Sequence, residues 1–148
     1  MHELKSKNLR ATFSTLGARL VSVFVDDVDV IMGGGTDAQI MAGDWTAGAI
    51  CGRIAGRISN AHFTLDGTEH KLTANMGEHQ LHGGPDNFAV RRWTAQSTDN
   101  SIRFAINSED GDQGFPGALS AEATYTIDGN TLSLDFTAVT TKPTVINL

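Results

Sequence analysis

Cysteine, proline and tyrosine are scarce in this sequence, and basic runs and long apolar stretches are missing from it. The single cysteine, Cys51, excludes an internal disulfide. Its neighbours Gly48, Ala49 and Ile50 supply no base, so a small buried thiol without special reactivity is expected. Proline occurs only at Pro85, Pro116 and Pro143, and neither a linker composition nor an internal repeat appears, so residues 1–148 read as one domain. Lys and Arg number 11 against 17 Asp and Glu, a formal charge of -6, and no basic run is long enough to follow a phosphate backbone. Nucleic acid is therefore not the expected partner. Every apolar stretch is far shorter than the ~20 residues that span a bilayer. Residues 1–10, with Glu3, Lys5, Lys7 and Arg10, lack the apolar core of a signal peptide. A soluble cytoplasmic protein with no membrane partner is expected.

What the chain does have is 40% hydrophobic content arranged with a period of two. A chain of this length buries roughly two thirds of its unfolded surface. Val21, Val23 and Val25 share one face of a predicted strand and Leu20, Ser22 and Phe24 the other, which suits a strand partly buried on both sides. Phe63 and Leu65 alternate with His62 and Thr64, Asp66-Gly67 offers the positive φ of a tight hairpin, and Lys71-Leu72 lies on the return. Ile102, Phe104 and Ile106 form a further stripe. Tyr125 and Ile127 lead through Asp128-Gly129-Asn130 into Leu132, Leu134 and Phe136, a second hairpin. The one stretch with a helical period is 48–58, where Ile50, Ile54 and Ile58 recur every four residues. Gly48, Gly52 and Gly56 recur with them, each costing about 1 kcal/mol of helix relative to Ala, so a loop anchored by the three isoleucines is expected. The fold class is all-β: antiparallel sheets packed as a β-sandwich, with loops at the rims available for a site.

Two places combine glycine with polar groups. The first is Gly52-Arg53-Ile54-Ala55-Gly56-Arg57, where the glycines let backbone approach closely; a surface arginine pair and a ligand-binding pair both fit it. The spacing does not match a phosphate-cradling GxxxxGK[ST] loop. The second runs from Asn75 through Met76-Gly77-Glu78-His79-Gln80-Leu81 to His82-Gly83-Gly84-Pro85. His79 and His82 lack a clear third ligand, so a metal is not expected. A neutral histidine can instead offer one nitrogen to a sugar oxygen while the protein fixes the other. His82, followed by two glycines, suits either that role or a structural turn, while His79 reads as solvent-facing.

At these residues the sequence resembles the galactose mutarotase (aldose 1-epimerase) family. Gly52-Arg53, Gly56-Arg57-Ile58, Phe63-Thr64-Leu65-Asp66-Gly67, Asn75-Met76-Gly77 and Leu81-His82-Gly83-Gly84 run in that family's order. The 25-residue interval from Arg57 to His82 is similar too. The likeness continues through Arg91-Arg92-Trp93, Asp110-Gly111-Asp112-Gln113-Gly114-Phe115-Pro116-Gly117 and Thr141-Lys142-Pro143-Thr144-Val145-Ile146-Asn147-Leu148, and opens at Leu16-Gly17-Ala18-Arg19-Leu20. Two positions depart. Gly56 stands where the family has Asn, with loss of a hydrogen bond that orients the sugar or Arg57 as the expected effect. Ala89 stands where the family has Asp, with a changed rim contact expected.

The resemblance implies interconversion of the α and β anomers of a free aldose such as glucose or galactose, without metal or organic cofactor. It gives catalytic and substrate-binding roles to His82 and Arg57 and further substrate contacts to Asn75 and Gly83. It also implies that residues 1–148 are the N-terminal part of a longer sandwich. The general acid, a histidine in an Asn-His-x-Tyr motif, and the basic glutamate then lie beyond Leu148, supplied by a C-terminal half or a partner subunit. The alternative is a non-catalytic carbohydrate-binding module of the same fold.

Overall fold

The computed structural model describes residues 1–31, 35–43 and 46–148. Its first sheet joins β1 (His2–Lys5), β2 (Leu9–Ser14), β3 (Arg19–Val25) and β4 (Val28–Asp29) in that order, antiparallel throughout. β3 is buried on both faces over most of its length: Val21, Ser22 and Val23 are buried while Leu20 and Phe24 are half-buried. The turn into β4 uses Asp26 and Asp27, both at positive φ (46° and 67°). Aspartate tolerates that region because its short side chain can bond locally.

After β4 in the chain comes the short helix α1 (Asp37–Ala42), which the sequence reading did not anticipate. Thr36 and Gln39 start it with a reciprocal capping box: Gln39 N–H donates to Thr36 Oγ1 at 3.3 Å and Thr36 N–H to Gln39 Oε1 at 2.9 Å. Residues 48–56 form the expected loop. Its anchoring differs from the expectation, since Ile50 alone enters the core and Ile54 and Ile58 are half-buried.

β5 (Arg57–Ile58) opens a rim region with β6 (His62–Leu65), β7 (Thr68–Lys71) and β8 (Gln80–Leu81). β6 and β7 form the expected hairpin, with Asp66 and Gly67 at φ 50° and 77°, and β5 pairs with β8. The second sheet contains β9 (Thr94–Ser97), β10 (Ser101–Ser108), β11 (Leu119–Asp128) and β12 (Thr131–Thr140), ordered β12-β11-β10-β9 and antiparallel. Gly129 takes the positive φ of the β11–β12 turn.

The two large sheets face each other, as expected of a sandwich. Phe13 of β2 lies 4.7 Å from the ring of Tyr125 and 6.3 Å from that of Phe104. Ile102, Ala121, Ala123 and Ile127 complete the facing layer against Leu4, Ala11 and Val23. Burying one such aromatic or aliphatic side chain contributes about 1.5–3 kcal/mol. β12 is an edge strand whose Phe136 and Val139 remain 44% and 67% exposed. Beside it an apolar groove is lined by Leu20, Leu132, Leu134, Phe136 and Cys51. Cys51 is half-buried there, and not the buried thiol expected. Among the described residues no helix is long and apolar enough to cross a membrane.

Candidate functional site

The two glycine-rich segments meet through the β5–β8 ladder, which sets Arg57 opposite Leu81. One step further, His82 and Gly56 exchange two hydrogen bonds: His82 N–H donates to Gly56 O at 2.8 Å, and Gly56 N–H donates to His82 Nδ1 at 3.1 Å. A backbone N–H can only donate, so Nδ1 is an acceptor and the neutral ring carries its hydrogen on Nε2. The ring is thereby fixed in one tautomer. Arg57, next along the chain, is exposed, and its guanidinium makes no hydrogen bond or ion pair among the described residues.

Glycine is required on both sides of this junction. Gly56 lies at φ 119°, where a side chain is strained although a Cβ would meet no atom within 4 Å. At Gly83 (φ 91°) a Cβ would lie 2.0 Å from Gly52 O, so the turn after His82 rests directly on the Gly52 peptide. Gly83 is buried in that contact. Asn75 spends its amide on the backbone of Leu81, accepting from its N–H at 2.6 Å and donating to its carbonyl at 3.0 Å. It acts as an extra strand residue that steadies β8. At position 56 it is the main chain that holds the His82 ring.

The surface arginine pair resolves into two unlike residues. Arg53 is only 2% exposed and spends all its donors: Nε on Ser108 Oγ (2.9 Å), Nη1 on Pro116 O (3.1 Å) and Gly117 O (2.8 Å), Nη2 on Ser108 O (3.1 Å) and Glu109 O (2.8 Å). Burial pushes its guanidinium below the ordinary arginine value, and the fields of Asp112 and Asp110 work against that shift. Ser108 Oγ in turn donates to Asp112. Asp112 receives a two-pronged bond from Arg91 (Nη1 at 2.5 Å, Nη2 at 2.7 Å), and Arg91 also reaches Asp86 at 2.9 Å. The Asp112 hydrogen bond raises the Arg91 guanidinium above its usual value, and the Asp86 bond adds to it.

The remaining candidates lie apart. His79 Nδ1 accepts from Asn60 N–H at 3.0 Å, so His79 and His82 serve different backbone amides. Glu78 is exposed and 3.9 Å from His79. Ala89, expected at the rim, is fully buried, its carbonyl lying 2.5 Å from where a Cβ on Gly17 would be. Sequence reasoning missed the chain from Arg53 through Ser108, Asp112 and Arg91 to Asp86. Arg53, Arg91 and Asp112 were visible as motif residues and Ser108 and Asp86 were not, and nothing local tells which of two arginines in a repeated Gly-Arg pattern turns inward.

A protein-family profile described as Aldose 1-epimerase matches residues 1–148. The galactose mutarotase of Sus scrofa is 36% identical over 151 residues, covering 99% of this chain and 44% of the relative. The aldose 1-epimerase of Haemophilus influenzae is 46% identical over 103 residues, covering 68% of this chain and 30% of its own. The crystal structure of an aldose epimerase homologue from C. elegans superposes with a TM-score of 0.89 at 30% identity, over 97% of this chain and 47% of that one. The chain thus spans less than half the length of these relatives.

Proposed function

The chain belongs to the aldose 1-epimerase family, and from that premise we propose that the whole protein interconverts the α and β anomers of a free aldose by acid–base ring opening. A base removes the proton of the C1 hydroxyl while an acid delivers one to the ring oxygen. The C1–O5 bond breaks to leave an aldehyde, rotation about C1–C2 presents the other face, and reclosure returns both protons. The overall reaction consumes nothing.

The observation that carries this reading is the double hydrogen bond between Gly56 and His82 beside the exposed Arg57. It supports a site with two oriented donors: His82 Nε2–H for a ring or hydroxyl oxygen, and the Arg57 fork for neighbouring sugar oxygens or for charge developing at O5. With Nδ1 occupied by a backbone N–H, His82 is suited to donate a hydrogen bond and poorly suited to shuttle protons between its two nitrogens. Arg57 stays charged and has no acceptor. The proton-transferring acid and base are accordingly assigned to residues beyond 148. The parallel bridge between Asn147 and Ile54, two residues before Gly56, supports this assignment, because chain continued in that register would run toward Gly56 and Arg57. Asn75 and Gly83 serve by holding His82 in place.

Polarimetry of freshly dissolved α-glucose or α-galactose tests this on the intact protein. Arg57→Ala and His82→Ala are each expected to lower kcat/KM by about 10²-fold or more, with thermal unfolding little changed because neither side chain is in the core. Near-normal rates in both folded variants would remove them from the site.

A further inference from the structure

We propose that Arg53 is a positioning residue, which holds the turn bearing His82 in register with the strand bearing Arg57 through a closed ring of contacts. The proposal rests on the reading of His82 and Arg57 as the sugar-binding pair. Arg53 itself has no donor left for a ligand, since the five N–H groups of its buried guanidinium are taken up by Ser108, Glu109, Pro116 and Gly117. Whatever it does for the site it does through the 108–117 loop and through its own backbone.

Both routes lead to the His82 turn. Outward from the side chain, Ser108 Oγ accepts from Arg53 and passes its own hydrogen to Asp112; Asp112 grips Arg91, and Arg91 grips Asp86 on the turn itself. Along the backbone, the Gly52 carbonyl accepts from Phe88 N–H at 3.2 Å and is the surface on which Gly83 sits. The turn is therefore fastened near its start to the peptide preceding Arg53 and further on, at Asp86, to a chain that begins at the Arg53 guanidinium. Three residues after Arg53 comes Gly56, whose N–H and carbonyl set the tautomer and angle of His82. A third attachment runs from Arg53 O to Asn147 N–H at 2.9 Å.

A neutral staple of similar volume would fill this space at less desolvation cost. What a planar guanidinium adds is direction, because five donors in a fixed fork admit one orientation of the segment that carries them. A lysine in its place keeps the charge and loses the fork. Displacements well under 1 Å in donor placement are enough to weaken transition-state alignment.

The experiment uses the intact protein labelled with 15N-histidine, with the His82 tautomer read from its long-range 1H–15N pattern and kcat and KM from polarimetry well below the melting temperature. Wild-type His82 is expected as the pure Nε2–H tautomer. Arg53→Lys, and separately Asp86→Asn, which opens the ring at its exposed end without touching the core, are expected to mix the two tautomers. They should also lower kcat/KM by roughly tenfold. Folded variants that keep one tautomer and wild-type kinetics would overturn the proposal, as would a wild-type ring already mixed. If Arg53→Lys does not fold, Asp86→Asn decides. A wild-type protein that catalyses no mutarotation would sink the functional reading, and the tautomer spectra then decide the positioning role alone.

Discussion

Gly83 and Gly67 both lie at positive φ and differ in their surroundings, which separates strain from collision. At Gly67 (φ 77°) a Cβ would meet nothing within 4 Å, whereas at Gly83 it would strike the Gly52 carbonyl. Gly67→Ala should cost about 1 kcal/mol and Gly83→Ala about 2–4 kcal/mol, a difference measurable by urea unfolding. Equal costs would mean that the His82 turn can lift off Gly52. Asp112 lies below the ordinary aspartate value of 3.8: burial raises it, and the hydrogen bonds from Arg91 and Ser108 outweigh burial. A lowered carboxylate stabilises the fold above its unfolded value and loses that contribution as pH falls through the folded one. Melting temperature should therefore decline below about pH 4, and Asp112→Asn should flatten that decline. At the alkaline end, burial pushes the hydroxyl of Tyr125, the only tyrosine, up to about 12. Between roughly pH 10 and 12 the unfolded chain ionises and the folded one does not, so stability falls with rising pH. Phenolate absorbance should appear together with unfolding; its appearance in the folded protein would show the ring to be accessible.

At the scale of elements, the strands that were legible in the sequence are those long enough to repeat a pattern. β10, β11 and β12 alternate over eight to ten residues, and the hairpins at Asp66-Gly67 and Gly129 announce themselves by residues that accept positive φ. β5 and β8 have two residues each, too short for any period; Asn75 bonds the Leu81 backbone and the Gln80 side chain donates to Thr73 O, which hold β8 where β5 pairs with it. The Asp26-Asp27 turn lacks glycine, and α1 is a six-residue helix whose only local signal was the Thr36…Gln39 box. His82 and Arg57 were recognisable as candidates from spacing and glycine context. That Arg53 points inward is decided by carbonyls more than fifty positions away. β12 poses a separate problem: among the described residues no strand pairs with its outer edge, which carries exposed Phe136 and Val139, the arrangement that recruits another strand. Sedimentation of the 148-residue chain should show concentration-dependent association that weakens in Phe136→Lys. A strictly monomeric chain at high concentration would show that this edge is already protected.

On the proposed mechanism the acid and the base are supplied by residues outside 1–148, and each missing one costs on the order of 10²–10⁴ in rate. The 148-residue chain alone should therefore show no more than trace mutarotation. Turnover in an ordinary enzyme's range, roughly 1–10³ s⁻¹, that disappears in His82→Ala would mean that carboxylates of this chain, such as Glu78 or Asp86, complete a different catalytic set. The parallel bridge at Ile54 and Asn147 also bears on the order in which the molecule assembles. Ala55 N–H donates to Asn147 O at 2.6 Å across 92 positions of sequence, while β10 and β11 meet across a short connection. Closing so long a loop is entropically dearer than closing a hairpin, and a nascent chain cannot close it until residue 147 has been made. The loop bearing Arg53 thus gains this partner later than β10 and β11 gain each other. In pulsed hydrogen exchange during refolding, the amides of Ala55 and Asn147 should gain protection after those of β10 and β11.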